Sequence, residues 1–85
     1  MSERRSEPRF PANQRVNVSL LAEPDVVFRA LLADASAHGL RLVSDRRIEP
    51  GAAIRLDIEG AIVLGEVRYC LSDGASFVVG IDLPK

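Results

Sequence analysis

From residue 16 onward the chain alternates. Val16, Val18 and Leu20 are apolar, and Asn17 and Ser19 between them are polar. A period of two sends apolar side chains to one face of a strand. Glu23-Pro24-Asp25 has the composition of a turn. Val26 to Ala33 follows as a second run, rich in β-branched and aliphatic residues. A helix over 26–35 is conceivable, but Val26-Val27-Phe28 and the flanking turns favour a strand. Asp34 to Gly39 is polar and turn-like, and Leu40-Arg41-Leu42 resumes the alternation. Ile48-Glu49-Pro50-Gly51 places Pro and Gly where a type II turn needs them. Ile54, Leu56 and Ile58 then alternate with Arg55, Asp57 and Glu59, the clearest amphipathic strand of the chain. Glu59-Gly60 breaks the run. Ala61 to Leu71 reads as one long strand, with a bend expected at Gly65. After Ser72-Asp73-Gly74, the apolar Phe77, Val79, Ile81 and Leu83 close the pattern.

Short strands at regular spacing, turn signals between them and no helical stripe predict an all-β fold. The expected form is a six-stranded antiparallel β-barrel, since closure removes exposed strand edges. Residues 1–15, MSERRSEPRFPANQR, contain Pro8 and Pro11 and lack periodicity. They read as a flexible N-terminal arm. The predicted organisation is an arginine-rich arm over 1–15 and a barrel over 16–85.

Composition narrows what such a barrel can do. At 85 residues the chain forms one domain; a domain of this size buries only about 60–65% of its unfolded surface, which leaves little core around which to build a deep catalytic cavity. With three Phe, one Tyr and no Trp, the core must be aliphatic. The lone Cys70 excludes an internal disulfide and a zinc cluster. No apolar run reaches the roughly 18 residues of a membrane span, and the N-terminus is charged where a signal peptide would be apolar. A cytoplasmic protein without membrane insertion is expected. A net charge of −1 argues against general DNA or RNA binding. RNA recognition would also want exposed aromatics and a positive barrel face.

The charge is unevenly placed. Residues 1–15 hold Arg4, Arg5, Arg9 and Arg15 against Glu3 and Glu7, a balance of +2, which leaves −3 for the rest of the −1 total. Every basic residue except Lys85 is an arginine, the side chain whose planar fork pairs with anions and stacks on rings.

No catalytic machinery is visible. His38 lies in a turn without an evident nucleophile beside it. Cys70 lies between Tyr69 and Leu71 and reads as a small buried hydrophobe. No phosphate-binding glycine loop occurs. The chain is expected not to be an enzyme and to hold no metal or cofactor.

Two motifs suit a ligand instead. Arg5 and Arg9, four apart and stiffened by Pro8, can converge on one compact anion through bidentate, charge-assisted bonds. Arginine also pairs with the O6/N7 edge of guanine and stacks on purine faces. In Asp34-Ala35-Ser36-Ala37-His38-Gly39, the carboxylate can accept from guanine N1–H and N2–H₂ together. The Ser36 hydroxyl can add one bond, and Gly39 permits a positive φ or a close backbone approach to a ligand. Taken singly, the first motif is also a common basic tail and the second a common turn.

Taken together, RxxxR at Arg5 and Arg9, 24 intervening residues, and DxSxxG at Asp34, Ser36 and Gly39 resemble the pattern of the PilZ domain family. An Arg9-Phe10-Pro11 entry, the Pro50-Gly51 turn, the strand Gly65-Glu66-Val67-Arg68 and the closing Val79-Gly80-Ile81 extend the likeness over essentially the whole chain. The resemblance implies a six-stranded barrel that binds the bacterial second messenger cyclic di-GMP. It implies that the arm's arginines clamp phosphates and guanines, that Asp34 and Ser36 hold a guanine edge, and that the arm orders on binding. Many PilZ proteins carry a helix or partner domain after the barrel, and this chain stops at Lys85. Output through a downstream protein partner, or through self-association of a monomer or weak dimer, is therefore expected. Arg4, directly before the motif, offers a further guanidinium for a second, stacked ligand molecule. The competing expectation is a PilZ-like adaptor that binds proteins and little or no nucleotide.

Overall fold

The computed structural model describes residues 13–84. They form six strands: β1 (Gln14–Leu20), β2 (Val27–Ala35), β3 (Gly39–Ser44), β4 (Ala53–Ile58), β5 (Ala61–Asp73) and β6 (Ser76–Asp82). All neighbours are antiparallel, in the order β1-β2-β3-β6-β5-β4, and β4 returns to β1 to close the barrel. The all-β, six-stranded antiparallel β-barrel expected from the alternation is what the chain forms.

The alternation works because each strand buries one face. Val16 and Val18, Leu40 and Leu42, Ile54, Leu56 and Ile58, and Val79 and Ile81 point into one aliphatic core. Phe28 and Phe77 pack only against its margin. Ser44 is the buried polar residue among them; its hydroxyl donates to the Arg46 carbonyl at 2.9 Å and accepts from the Arg46 amide at 3.0 Å.

Turn chemistry follows the residues. The Ala52 amide donates to the Glu49 carbonyl at 3.1 Å across Pro50 and Gly51, and Gly51 has φ 94°, the type II arrangement. Glu59 (φ 51°) and Gly60 (φ 83°) link the paired residues Ile58 and Ala61. Two successive positive φ values make a type I′ hairpin turn, whose twist suits the strands it joins.

Strand limits and irregularities depart from the sequence reading; β2 starts at Val27, and β5 runs on through Ser72 and Asp73. β1 starts at Gln14, so Gln14 and Arg15 already pair with Leu32 and Leu31. Asp34 and Ala35 extend β2, and Gly39 opens β3, so only Ser36 to His38 connect them. The physical reason is a bulge at Ala33: the register jumps from Leu32↔Leu42 to Asp34↔Arg41. In β5 the irregularity falls not at Gly65 but at Arg68, where Val67↔Ile81 gives way to Tyr69↔Gly80. Gly65 is glycine because β6 crowds it; a Cβ there would lie 2.6 Å from Ile81 Cγ2 and 2.8 Å from the Asp82 carbonyl oxygen.

Candidate ligand-binding face

The two bulges act on the same part of the surface. Before Ala33, β2 buries Ala30 and Leu32; a strict period of two would then turn Asp34 inward. The extra residue resets the phase, so Asp34 faces out and Ala35 packs against the core. The bulge at Arg68 does the same in β5, turning Tyr69 outward and Cys70 toward the core.

The pairing then aligns one row across four strands. Asp34 pairs with Arg41, Arg41 with Gly80, and Gly80 with Tyr69. The Arg41 guanidinium donates through Nη2 to Asp34 Oδ2 at 2.8 Å. Tyr69 lies over Gly80: a Cβ at position 80 would sit 2.2–2.8 Å from three atoms of its ring. Aromatic cover of a cross-strand glycine presents a flat apolar surface beside the Arg41–Asp34 pair. Next to this row, Arg68 Nη1 donates to Asp82 Oδ1 at 3.0 Å. Asp34, Ser36, Arg41, Arg68, Tyr69 and Gly80 line an open depression of about 280 Å³.

The depression holds two guanidinium groups and two carboxylates, already paired. All four side chains are at least half exposed. Ion pairs in water contribute about 0–1 kcal/mol, so exchanging one for a ligand contact costs little.

The connection after Asp34 is tight. The Ser36 amide donates to the Gly39 carbonyl at 2.9 Å, its hydroxyl donates to the same oxygen at 3.2 Å, and the His38 amide donates to Ser36 Oγ at 3.4 Å. The His38 carbonyl accepts from the Leu83 amide at 3.0 Å, tying the turn to the end of β6. Gly39 adopts no positive φ. It does make a close backbone approach, but to the barrel: a Cβ would lie 2.7 Å from the Ile81 carbonyl oxygen.

Of the residues singled out from sequence, Asp34, Ser36 and Gly39 thus converge at one end of this face, with Asp34 and Ser36 exposed. Arg4, Arg5 and Arg9 lie outside the described residues. The root of their segment is described: the Asn13 amide donates to the Leu32 carbonyl, immediately before the bulge that presents Asp34. Four peptide units from Asn13 span at most about 14 Å, and eight about 29 Å. Sequence reasoning missed Arg41, Arg68, Tyr69 and Asp82. Arg41 was detectable as the polar residue between Leu40 and Leu42; the others depend on the register across β5 and β6.

One row further along, Leu31, Val43, Val78 and Leu71 pair in turn on the same outer surface. Leu71 is 58% exposed. An outer row of four aliphatic residues is unusual for a barrel whose other face already fills the core.

A family model described as the PilZ domain matches residues 3–84, nearly the whole chain. The chain belongs to the PilZ domain family. PilZ domains are known as cyclic di-GMP receptors, and as binding and adaptor modules rather than catalysts. The matched span of this PilZ domain takes in the RxxxR segment, the Asp34–Gly39 connection and the row across β2, β3, β6 and β5. A search among curated proteins returns no match. Among the described residues, no helix of this PilZ domain is long and apolar enough to cross a membrane.

Proposed function

We propose that this PilZ domain is a cyclic di-GMP receptor that binds its ligand on the outer face of β2, β3, β6 and β5. The observation that carries the reading is the placement of Asp34: bulged out of the barrel, exposed, and beside the point where the arginine-bearing segment joins β1. Asp34 accepts from a guanine Watson–Crick edge. Arg5 and Arg9 reach over the same face and take phosphates and guanine edges. Ser36 keeps one oxygen lone pair for the ligand, and its main work is to hold the turn. Gly39 serves the site through the β3–β6 approach. Arg4 extends the arm's capacity to a second, stacked ligand molecule. Ordering of the arm on binding then signals to a protein partner in the cytoplasm.

The test is calorimetry and thermal denaturation of the full chain with cyclic di-GMP. Ligand at about 100 times its Kd stabilises the native state by about 2.7 kcal/mol. That is a rise of roughly 10 °C or more in Tm for a domain of this size. Arg5→Ala or Arg9→Ala lowers affinity at least about tenfold, in line with roughly 1.5–3 kcal/mol for a charge-assisted contact. A stoichiometry of one that Arg4→Ala leaves unchanged removes the stacked pair. No thermal shift at saturating ligand refutes the receptor reading. The outer aliphatic row Leu31–Val43–Val78–Leu71 favours one second reading, an adaptor that meets a protein partner there and binds no nucleotide.

A further inference from the structure

Arg41 is absent from both sequence motifs, yet it is the side chain that touches Asp34. We propose that Arg41 and Asp34 together form a three-point reader of the guanine Watson–Crick edge, with Arg41 bonding the base's O6. The inference rests on the reading that a guanine ligand occupies this face, and it names what selects guanine there.

The donors and acceptors of the pair match those of the base. Arg41 and Asp34 are directly paired across β2 and β3, and Nη2 lies 2.8 Å from Oδ2. In sequence across the surface the pair therefore offers an acceptor at Oδ1, an acceptor at Oδ2 and then a donor at the guanidinium. Cytosine offers that order to guanine in a base pair. Guanine presents N2–H₂, N1–H and O6, which are donor, donor and acceptor. With N2–H₂ on Oδ1 and N1–H on Oδ2, O6 falls on the guanidinium side. Arginine has five N–H groups, so the bond to Oδ2 and a bond to O6 can coexist. Adenine carries a lone pair at N1 and an amino group at C6. Against this pair it sets a lone pair on a carboxylate and an N–H on a cation. Once the base covers the pair, a mismatch of that kind leaves polar groups unpaired, which is what gives polar sites their discrimination.

Arg41 also removes an electrostatic obstacle. An unpaired Asp34 would repel a ligand carrying two phosphate charges. The guanidinium beside it cancels that charge while leaving both carboxylate oxygens with free lone pairs. Register holds the pair in place: Arg41 is fixed between Asp34 and Gly80 by ladders on both sides.

The test separates a direct contact from mere positioning of Asp34. Calorimetry on the full chain compares cyclic di-GMP with its 6-thioguanine analogue, in which a weakly accepting sulfur replaces O6. Arg41→Ala should weaken cyclic di-GMP binding about tenfold or more, weaken the thio analogue far less, and leave Tm nearly unchanged. Arg41→Lys should recover part of the loss, because it keeps one donor and the charge. Equal loss on both ligands would mean that Arg41 only orients Asp34, and the proposal falls. If Asp34→Ala removes binding and Arg41→Ala does not, the proposal falls while the receptor reading stands. If wild-type chain binds neither ligand, both fall together.

Discussion

Gly39→Ala separates a residue that builds the site from one that touches the ligand. A Cβ at position 39 would lie 2.7 Å from the Ile81 carbonyl oxygen. Ordinary van der Waals contact for a Cβ begins at 3.4 Å, so about 0.7 Å must be found. The obstacle is backbone, and Ile81 is itself a core residue paired across the β3–β6 ladder. It cannot rotate aside as a side-chain end would. Overpacking of this kind costs about 1–3 kcal/mol. For a domain under 100 residues each kcal/mol moves Tm by about 4–8 °C. The expected result is a Tm lowered by roughly 5–20 °C and a urea midpoint lowered at unchanged m. Loss of cyclic di-GMP affinity should accompany it, because the turn holding Asp34 is hydrogen-bonded to Gly39. Asp34→Ala should lose affinity, and its preference for guanine over adenine dinucleotides, with Tm nearly unaltered. If Gly39→Ala abolishes binding yet melts within about 2 °C of wild type, the crowding argument is wrong, and Gly39 faces the ligand after all.

Tyr69 is the single tyrosine of a chain without tryptophan, so intrinsic fluorescence reports this face alone; saturating cyclic di-GMP should quench it, and unchanged emission at saturation would place the base elsewhere. Gly80→Ala drives a Cβ into the Tyr69 ring, the far end of a side chain that can swing away. It should therefore cost under about 1 kcal/mol in stability while lowering ligand affinity, measured by denaturation and calorimetry on one preparation. Leu56→Ala, at the centre of the core and fully buried, should cost about 2–5 kcal/mol in urea unfolding, with binding retained at temperatures where the barrel is folded.

The barrel was legible because burial of one face leaves a period-two trace. Ile54, Leu56 and Ile58 announce β4, and Pro50-Gly51 announces the turn before it. The site was legible only in part. Asp34, Ser36 and Gly39 stand out as a polar cluster between apolar runs, but what each does depends on partners elsewhere. Gly39 answers to Ile81, which sequence proximity cannot suggest. Asp34 reads as part of a turn because a strand without a bulge would bury it; the bulge at Ala33 has no local signal. Tyr69 is hidden for the same reason: Val63, Gly65 and Val67 carry the alternation toward an inward residue 69, and the bulge at Arg68 reverses it. Side-chain phase survives in sequence until a bulge shifts it, and both bulges here border the candidate site.

The row Asp34–Arg41–Gly80–Tyr69 also has a history within each folding event. Its two halves belong to separate hairpins, β2–β3 and β5–β6, which meet at Arg41 and Gly80 on the β3–β6 ladder. Each hairpin is local, but the ladder that joins them must first close a long loop, and closure of that kind slows folding. The complete face therefore comes into being with the barrel, not before it. A ligand that needs both halves finds nothing to grip in a half-formed chain. Its effect falls on escape rather than arrival: it lengthens the lifetime of the finished barrel and leaves the time taken to reach it unaltered.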